Sequence, residues 1–173
     1  PNALGMLDLS ISSPDLTGRD SDDTEDFTNR VSQKMRSNGL TLGIGRFMEP
    51  RGFYIADAFE GRLGDPRERR TIHLGIDLFQ EPGTAIHAPL AGRVHTVREN
   101  QNRLDYGPTV ILEHSAPSGL FWTLYGHLER ASVENLKAGD SIDAGQLIAR
   151  IGTYPENGDW PPHLHFQIIT DLM

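Results

Sequence analysis

The sequence predicts a mainly β protein of antiparallel sandwich or barrel-like build, carrying an N-terminal strand–helix extension. Three observations lead there. Eighteen glycines and eleven prolines punctuate the 173 residues, as tight turns between short strands require. The segments between them, such as Val110-Ile111-Leu112 and Leu120-Phe121-Trp122-Thr123-Leu124, are brief and rich in β-branched or aromatic residues, the composition of strands. One stretch alone, Phe27, Val31 and Met35, repeats apolar residues every four positions, as an amphipathic helix does.

Taken in order, Leu7, Leu9 and Ile11 alternate with polar residues and predict a half-buried first strand. Asp22 and Glu25 have the spacing of a capping box. A helix is therefore expected to follow the acidic run at 20–26, bury the Phe27 stripe and stop at Ser37-Asn38-Gly39. We take 1–40 as this extension and 41–173 as the β domain. Strands are expected over 41–47, 52–57, 71–79, 85–88, 92–98, 108–114, 120–127, 147–151 and 163–170. Turns are expected at Pro82-Gly83, Tyr106-Gly107-Pro108, Pro117-Ser118-Gly119 and Ala138-Gly139-Asp140.

Composition narrows the chemistry. Sixteen basic against 24 acidic residues give a net charge of −8, which argues against a nucleic-acid partner, since that footprint is basic. With no cysteine, disulfides, thiolate metal sites, cysteine nucleophiles and iron–sulfur clusters are excluded. No apolar run approaches the roughly 20 residues that span a bilayer, so no membrane is expected. The first ten residues are neither basic nor continuously apolar and begin with Pro1, unlike a signal peptide. The chain reads as a fragment excised from a longer protein.

The histidines carry the chemistry. In His163-Leu164-His165-Phe166-Gln167-Ile168, strand alternation puts His163, His165 and Gln167 on one face and Leu164, Phe166 and Ile168 on the other. His73-Leu74-Gly75-Ile76-Asp77 adds a second pair. On a straight strand, positions four apart lie about 13 Å from each other, too far to share a metal. Gly75 permits the bend that would bring them together. The two motifs then supply two nitrogens and one carboxylate, a set that leaves a metal position open, as catalytic sites do. His127 follows Tyr125-Gly126 at the end of an apolar strand. His87 and His95 read as surface or packing residues, and His114 as a candidate neighbour of the site. Phe121 and Trp122 read as core.

With these residues in view, the chain resembles the lysostaphin and LytM-type zinc metallopeptidases and their duplicated-hybrid-motif β fold. The matching stretches are His73-Leu74-Gly75-Ile76-Asp77; 82–94; Tyr106-Gly107 with Val110-Ile111-Leu112-Glu113-His114; Leu124-Tyr125-Gly126-His127-Leu128; Ala138-Gly139-Asp140; Ala144-Gly145-Gln146; Ile151-Gly152; and Pro162-His163-Leu164-His165-Phe166. They keep their order over about 71–170. The resemblance implies Zn2+ held by His73, Asp77 and His165, with His163 and His127 as the catalytic pair beside it. No glutamate base of the H-E-x-x-H kind is present, and neutral histidine suits that task near physiological pH. The sequence departs from the family in its loop at 153–162 and in Gln167, which stands where glutamate is common. Trp160 and Arg70 are the candidate substrate-binding residues, the first lining a groove and the second meeting an anionic group.

A closer resemblance is carried by 69–79 and by 156–167. These look like the peptidase-like domain inside long fusions in which a kinase-like phosphotransferase precedes it and a class III aminotransferase follows. That setting implies other domains of a larger parent chain as partners and a cytoplasmic location. Three functions stay open on the residues: a zinc-dependent endopeptidase or amidase acting on a peptide or small-molecule ligand, not necessarily peptidoglycan; a non-catalytic, regulatory ligand-binding module of an aminotransferase-containing protein; and a non-haem iron oxygenase, whose facial triad is also two histidines and a carboxylate.

Overall fold

The structure, a computed structural model, describes residues 3–16, 20–54 and 71–172. Its elements are β1 (Leu4–Met6), α1 (Thr24–Ser37), β2 (Leu42–Gly45), β3 (Glu49–Pro50), β4 (Ile72–His73), β5 (Ile76–Phe79), β6 (Ala85–His87), β7 (Gly92–Asn100), β8 (Gly107–Ala116), β9 (Gly119–Gly126), α2 (Arg130–Val133), β10 (Ser141–Ile142), β11 (Leu147–Arg150) and β12 (His163–Ile169). Eight strands form one sheet in the order β1-β2-β5-β12-β9-β8-β7-β10, while β6 pairs with β11 and β3 with β4. Among the described strands only β1 and β2 run parallel. The mainly β expectation holds, but the large sheet is mixed and no closed barrel forms among the described residues.

Several boundaries differ from expectation for physical reasons. The first strand lies at Leu4–Met6 rather than over 7–11. Leu7 and Leu9 are buried as their alternation predicts, whereas Ile11 is exposed. The helix is capped one residue late: the Asp23 carboxylate accepts from the Asp26 N–H at 3.0 Å, because Asp22 is still in a 3₁₀ turn. The stretch Gly52–Tyr54 turns instead of extending, and 55–57 lie outside the described residues. The expected strand over 71–79 breaks into β4 and β5 at Leu74-Gly75, which is the bend that Gly75 was expected to permit. The two-residue β10 is too short to carry a sequence pattern.

The sheet separates two apolar clusters. Neighbouring strand residues face opposite sides, so Leu78 and Phe79 belong to different cores. Leu78 packs on the first, with Val110, Leu112, Tyr125, Leu128 and Leu164. Phe79 belongs to the second, with Leu7, Leu9, Phe27, Val31, Phe53, Leu104 and Trp160. Each large side chain buried in these cores is worth about 1.5–3 kcal/mol. The N-terminal segment and α1 thus cover the face that carries Asp77 and Phe79. No helix of the described residues is long and apolar enough to cross a membrane.

Candidate metal centre

Register between strands sets the first row of the centre. Gly45 pairs with Asp77 across β2 and β5, Asp77 with His165 across β5 and β12, and His165 with Gly126 across β12 and β9. Directly opposed residues share a face, so these four form one row across the sheet. Phe79 and His163 form the next row, their rings stacked at 4.8 Å. The two glycines leave room over the row: a Cβ on Gly45 would meet Arg51 Nη2 at 2.8 Å, and one on Gly126 would meet Tyr106 at 3.0 Å. Arg51 and Tyr106 lie in those spaces.

The row and the bend at Gly75 bring His73, Asp77 and His165 together, all buried. His73 Nε2 lies 3.1 Å from Asp77 Oδ1 and 3.0 Å from His165 Nδ1, and His165 Nδ1 lies 3.1 Å from Asp77 Oδ1. Ligands around a tetrahedral zinc with bonds of about 2.0 Å are about 3.3 Å apart, so the triangle fits the ion. The proton positions fit it too. His73 Nδ1 is 2.8 Å from the Arg46 carbonyl, which can only accept, so Nδ1 carries the proton and Nε2 presents a lone pair. His165 Nε2 faces Gln167 Oε1 at 3.4 Å, and its Nδ1 faces Asp77 Oδ1, so a cation at the centre would stand where a shared proton otherwise sits.

His127 and His163 stand beside this triangle with rings 4.3 Å apart, and His163 Nε2 is 3.6 Å from Asp77 Oδ1. Their tautomers follow from the same rule. His127 Nδ1 donates to the Asn157 carbonyl at 2.8 Å, and His163 Nδ1 to the Pro161 carbonyl at 2.6 Å. Each therefore keeps Nε2 free to accept a proton. His127 has φ 65°, a left-handed conformation costly for a non-glycine residue and concentrated at functional sites.

Buried charge organises the far side. Arg51 Nη1 lies 2.7 Å from Asp77 Oδ2 and donates to the Tyr54 hydroxyl at 3.0 Å, while Arg51 Nε donates to Glu49 Oε2 at 3.1 Å. Burial is the largest single influence and would raise the Asp77 carboxyl; the Arg51 guanidinium, His163, His165 and His73 together outweigh it and hold the group well below the ordinary carboxylate range. Burial pushes His163 down to about 4. It also pushes His127 well below its ordinary value, helped by the neighbouring His163 and His165. Both are neutral at physiological pH, as proton acceptors must be.

The sign of the resulting pH dependence follows. In the metal-free chain these two histidines bind fewer protons folded than unfolded wherever the pH is below their unfolded value of 6.5. The stability tied to their neutral forms is complete above 6.5 and is lost as pH falls toward about 4 for His163, at up to about 1.4 kcal/mol per pH unit for each group. Asp77 does not enter this window, because it is ionised in both states there. Urea midpoints of the metal-free chain are expected to fall steadily from pH 7 to pH 4.5; a flat profile contradicts the burial of neutral histidines.

The other expected residues are placed as follows. Trp160 is buried, its ring edge-on to His127 at 6.1 Å and to Phe53 at 6.0 Å. Arg70, with Arg62, Arg67 and Arg69, lies outside the described residues. His114 bonds to the Ala91 carbonyl and to Thr123, and no bond joins it to the centre. His87 and His95 are exposed, and Phe121 and Trp122 are half-buried. The sequence reading missed Arg51, Glu49, Tyr106 and Asn157. Asn157-Gly158 is recognisable as a turn, but nothing local marks Arg51.

Comparison with known proteins follows the same residues. The profile of peptidase family M23 matches 71–172, a span that holds all five centre residues. Among solved structures, a zinc-containing peptidase from Vibrio cholerae is 28% identical over 59% of this chain with a TM-score of 0.48, and the chain covers 28% of its length. The catalytic domain of the antimicrobial peptidase lysostaphin from Staphylococcus simulans is 29% identical over 60% of this chain and 71% of its own, with a TM-score of 0.46. LytU is 30% identical over 66% of this chain and 72% of its own, with a TM-score of 0.45. No curated protein matches.

Proposed function

The chain belongs to peptidase family M23, and from that premise we propose that it is a zinc-dependent metallo-endopeptidase or amidase. The observation that carries the proposal is the buried triangle of His73 Nε2, Asp77 Oδ1 and His165 Nδ1, each atom within 3.1 Å of the other two. These three residues would hold the ion. Zinc bound there supplies a Lewis acid for the scissile carbonyl and lowers the pKa of a bound water toward 7.

The chain's own groups do the rest. His127 or His163 takes the proton of the attacking water at its free Nε2, while its Nδ1–H stays fixed on a backbone carbonyl. As the C–O bond forms and the C–N bond breaks, that proton passes to the leaving amine. The second histidine, its Nδ1–H likewise tied to a backbone carbonyl, accepts a hydrogen bond from the same water at Nε2 and orients it. The burial of these side chains strengthens each of these interactions.

His127→Ala and His163→Ala are each expected to keep zinc and to lower kcat/KM roughly 10²–10⁴-fold, the usual range for a positioned acid–base group. Zinc content and peptide-library cleavage, with and without chelator, check both statements. Loss of zinc in either variant reassigns that residue as a ligand. Absence of zinc-dependent cleavage in the parent chain would instead favour a ligand-binding module. Family membership speaks against the iron oxygenase reading. The setting among phosphotransferase and aminotransferase domains, those domains as partners and a cytoplasmic location rest on resemblance alone.

A further inference from the structure

A cavity of about 360 Å³ opens from the candidate metal centre into the second core. Its volume is at the small end for ligand sites, and a space of about 150 Å³ suffices for a benzene ring. One end carries His73, Asp77, His127, His163 and His165; the other is walled by Phe27, Phe53, Tyr54, Leu104 and Trp160. Resting on the peptidase reading, we infer that the substrate residue flanking the scissile bond bears a large, uncharged apolar side chain, aromatic by preference, which occupies this cavity.

Two features of the wall select that chemistry. The rings already meet edge-to-face, Phe27 on Phe53 at 5.3 Å and Tyr54 on Trp160 at 6.2 Å. An entering ring extends this set and gains about 0.5–1.5 kcal/mol per pair beyond its buried area. The charge is spent: Arg51 is the one cation among the described lining residues, and it is committed to Asp77 and Glu49. At the apolar end an acidic side chain therefore finds no free counter-ion among the described residues and loses its hydration on entry. A glycine leaves the apolar end empty and gains nothing from it.

The wall also locates the specificity. Phe27 comes from α1, and Phe53 and Tyr54 from the segment after β3, both N-terminal to the stretch 71–172 that matches the family. The N-terminal segment thus acts as the selector for a centre built by the family domain.

The test is binding of N-acetyl-X-Gly amides, with X as Gly, Ala, Leu, Phe or Asp, to the whole chain by calorimetry, zinc-loaded and zinc-free. Phe is expected to bind at least tenfold more tightly than Gly, with Leu between and Asp weakest. The order is expected to survive zinc removal, because the cavity and not the ion sets it. Phe27→Trp, which fills the cavity, is expected to abolish the preference with zinc content unchanged. If that variant does not fold, Phe27→Ala is expected to shift the preference to a naphthyl side chain. Gly or Asp binding as well as Phe, or no binding at millimolar concentration, overturns the inference. Failure of the zinc reading is separate: it shows as no metal bound, whatever the peptide order.

Discussion

Gly75→Ala is expected to empty the metal centre without removing a ligand. A Cβ at this position would lie 2.6 Å from both Cε1 and Nε2 of His165 and 2.7 Å from the Phe166 carbonyl oxygen. The first contact can be relieved only by swinging the His165 ring away from Asp77 and His73. The second is against backbone in β12, which is paired on both sides by β5 and β9 and cannot give way. The two together oblige the ring to leave. Zinc affinity is expected to drop at least 10–100-fold, the range seen when the support of a ligand is lost, and peptide cleavage with it. Overpacking adds about 1–3 kcal/mol of destabilisation. Competition with a chromogenic chelator measures the first effect. A variant that binds zinc as tightly as the parent refutes the role given to this glycine.

Arg51→Met is expected to give the largest loss of stability. The substitution keeps much of the volume but leaves Asp77 buried without its arginine and Glu49 with only the half-exposed Arg46 as a cation. Removing one partner of a buried pair costs about 3–5 kcal/mol, which in a chain of this size corresponds to a Tm lower by roughly 6–20 °C. Zinc should restore part of it, because the ion replaces the charge facing Asp77 but not that facing Glu49. Adding Glu49→Gln should restore more. Calorimetry of the zinc-free and zinc-loaded forms checks both. A zinc-free variant melting within about 2 °C of the parent shows that the pair is not worth its geometry.

Much of the centre was legible in the sequence because its spacing is local. His163 and His165 lie two apart on one strand, and His73 and Asp77 can meet only if Gly75 bends the chain between them; both facts follow from strand geometry. The helix stripe and the burial of Leu7 and Leu9 were legible for the same reason. Arg51, Tyr106 and Asn157 were not, because they reach the centre through register between segments far apart in the chain, and Glu49-Pro50-Arg51 carries no periodicity to announce itself. The strand at Leu4–Met6 was missed because alternation reports which side chains are buried, whereas a ladder depends on which backbone lies alongside.

The position of β12 dictates the order in which the molecule can be assembled. It is the last strand of the described chain, yet it sits in the interior of the large sheet, between β5 and β9. Until it inserts, two strand edges that never meet in the finished sheet stand open to each other and to neighbouring molecules, the circumstance in which nascent chains aggregate. Ninety-two positions separate His73 from His165, so insertion is a slow, long-range closure. With the proposed ligands, no ion can be captured before it is complete. On that proposal metal uptake would report that the final strand has found its place, and a chain halted short of it exposes both open edges.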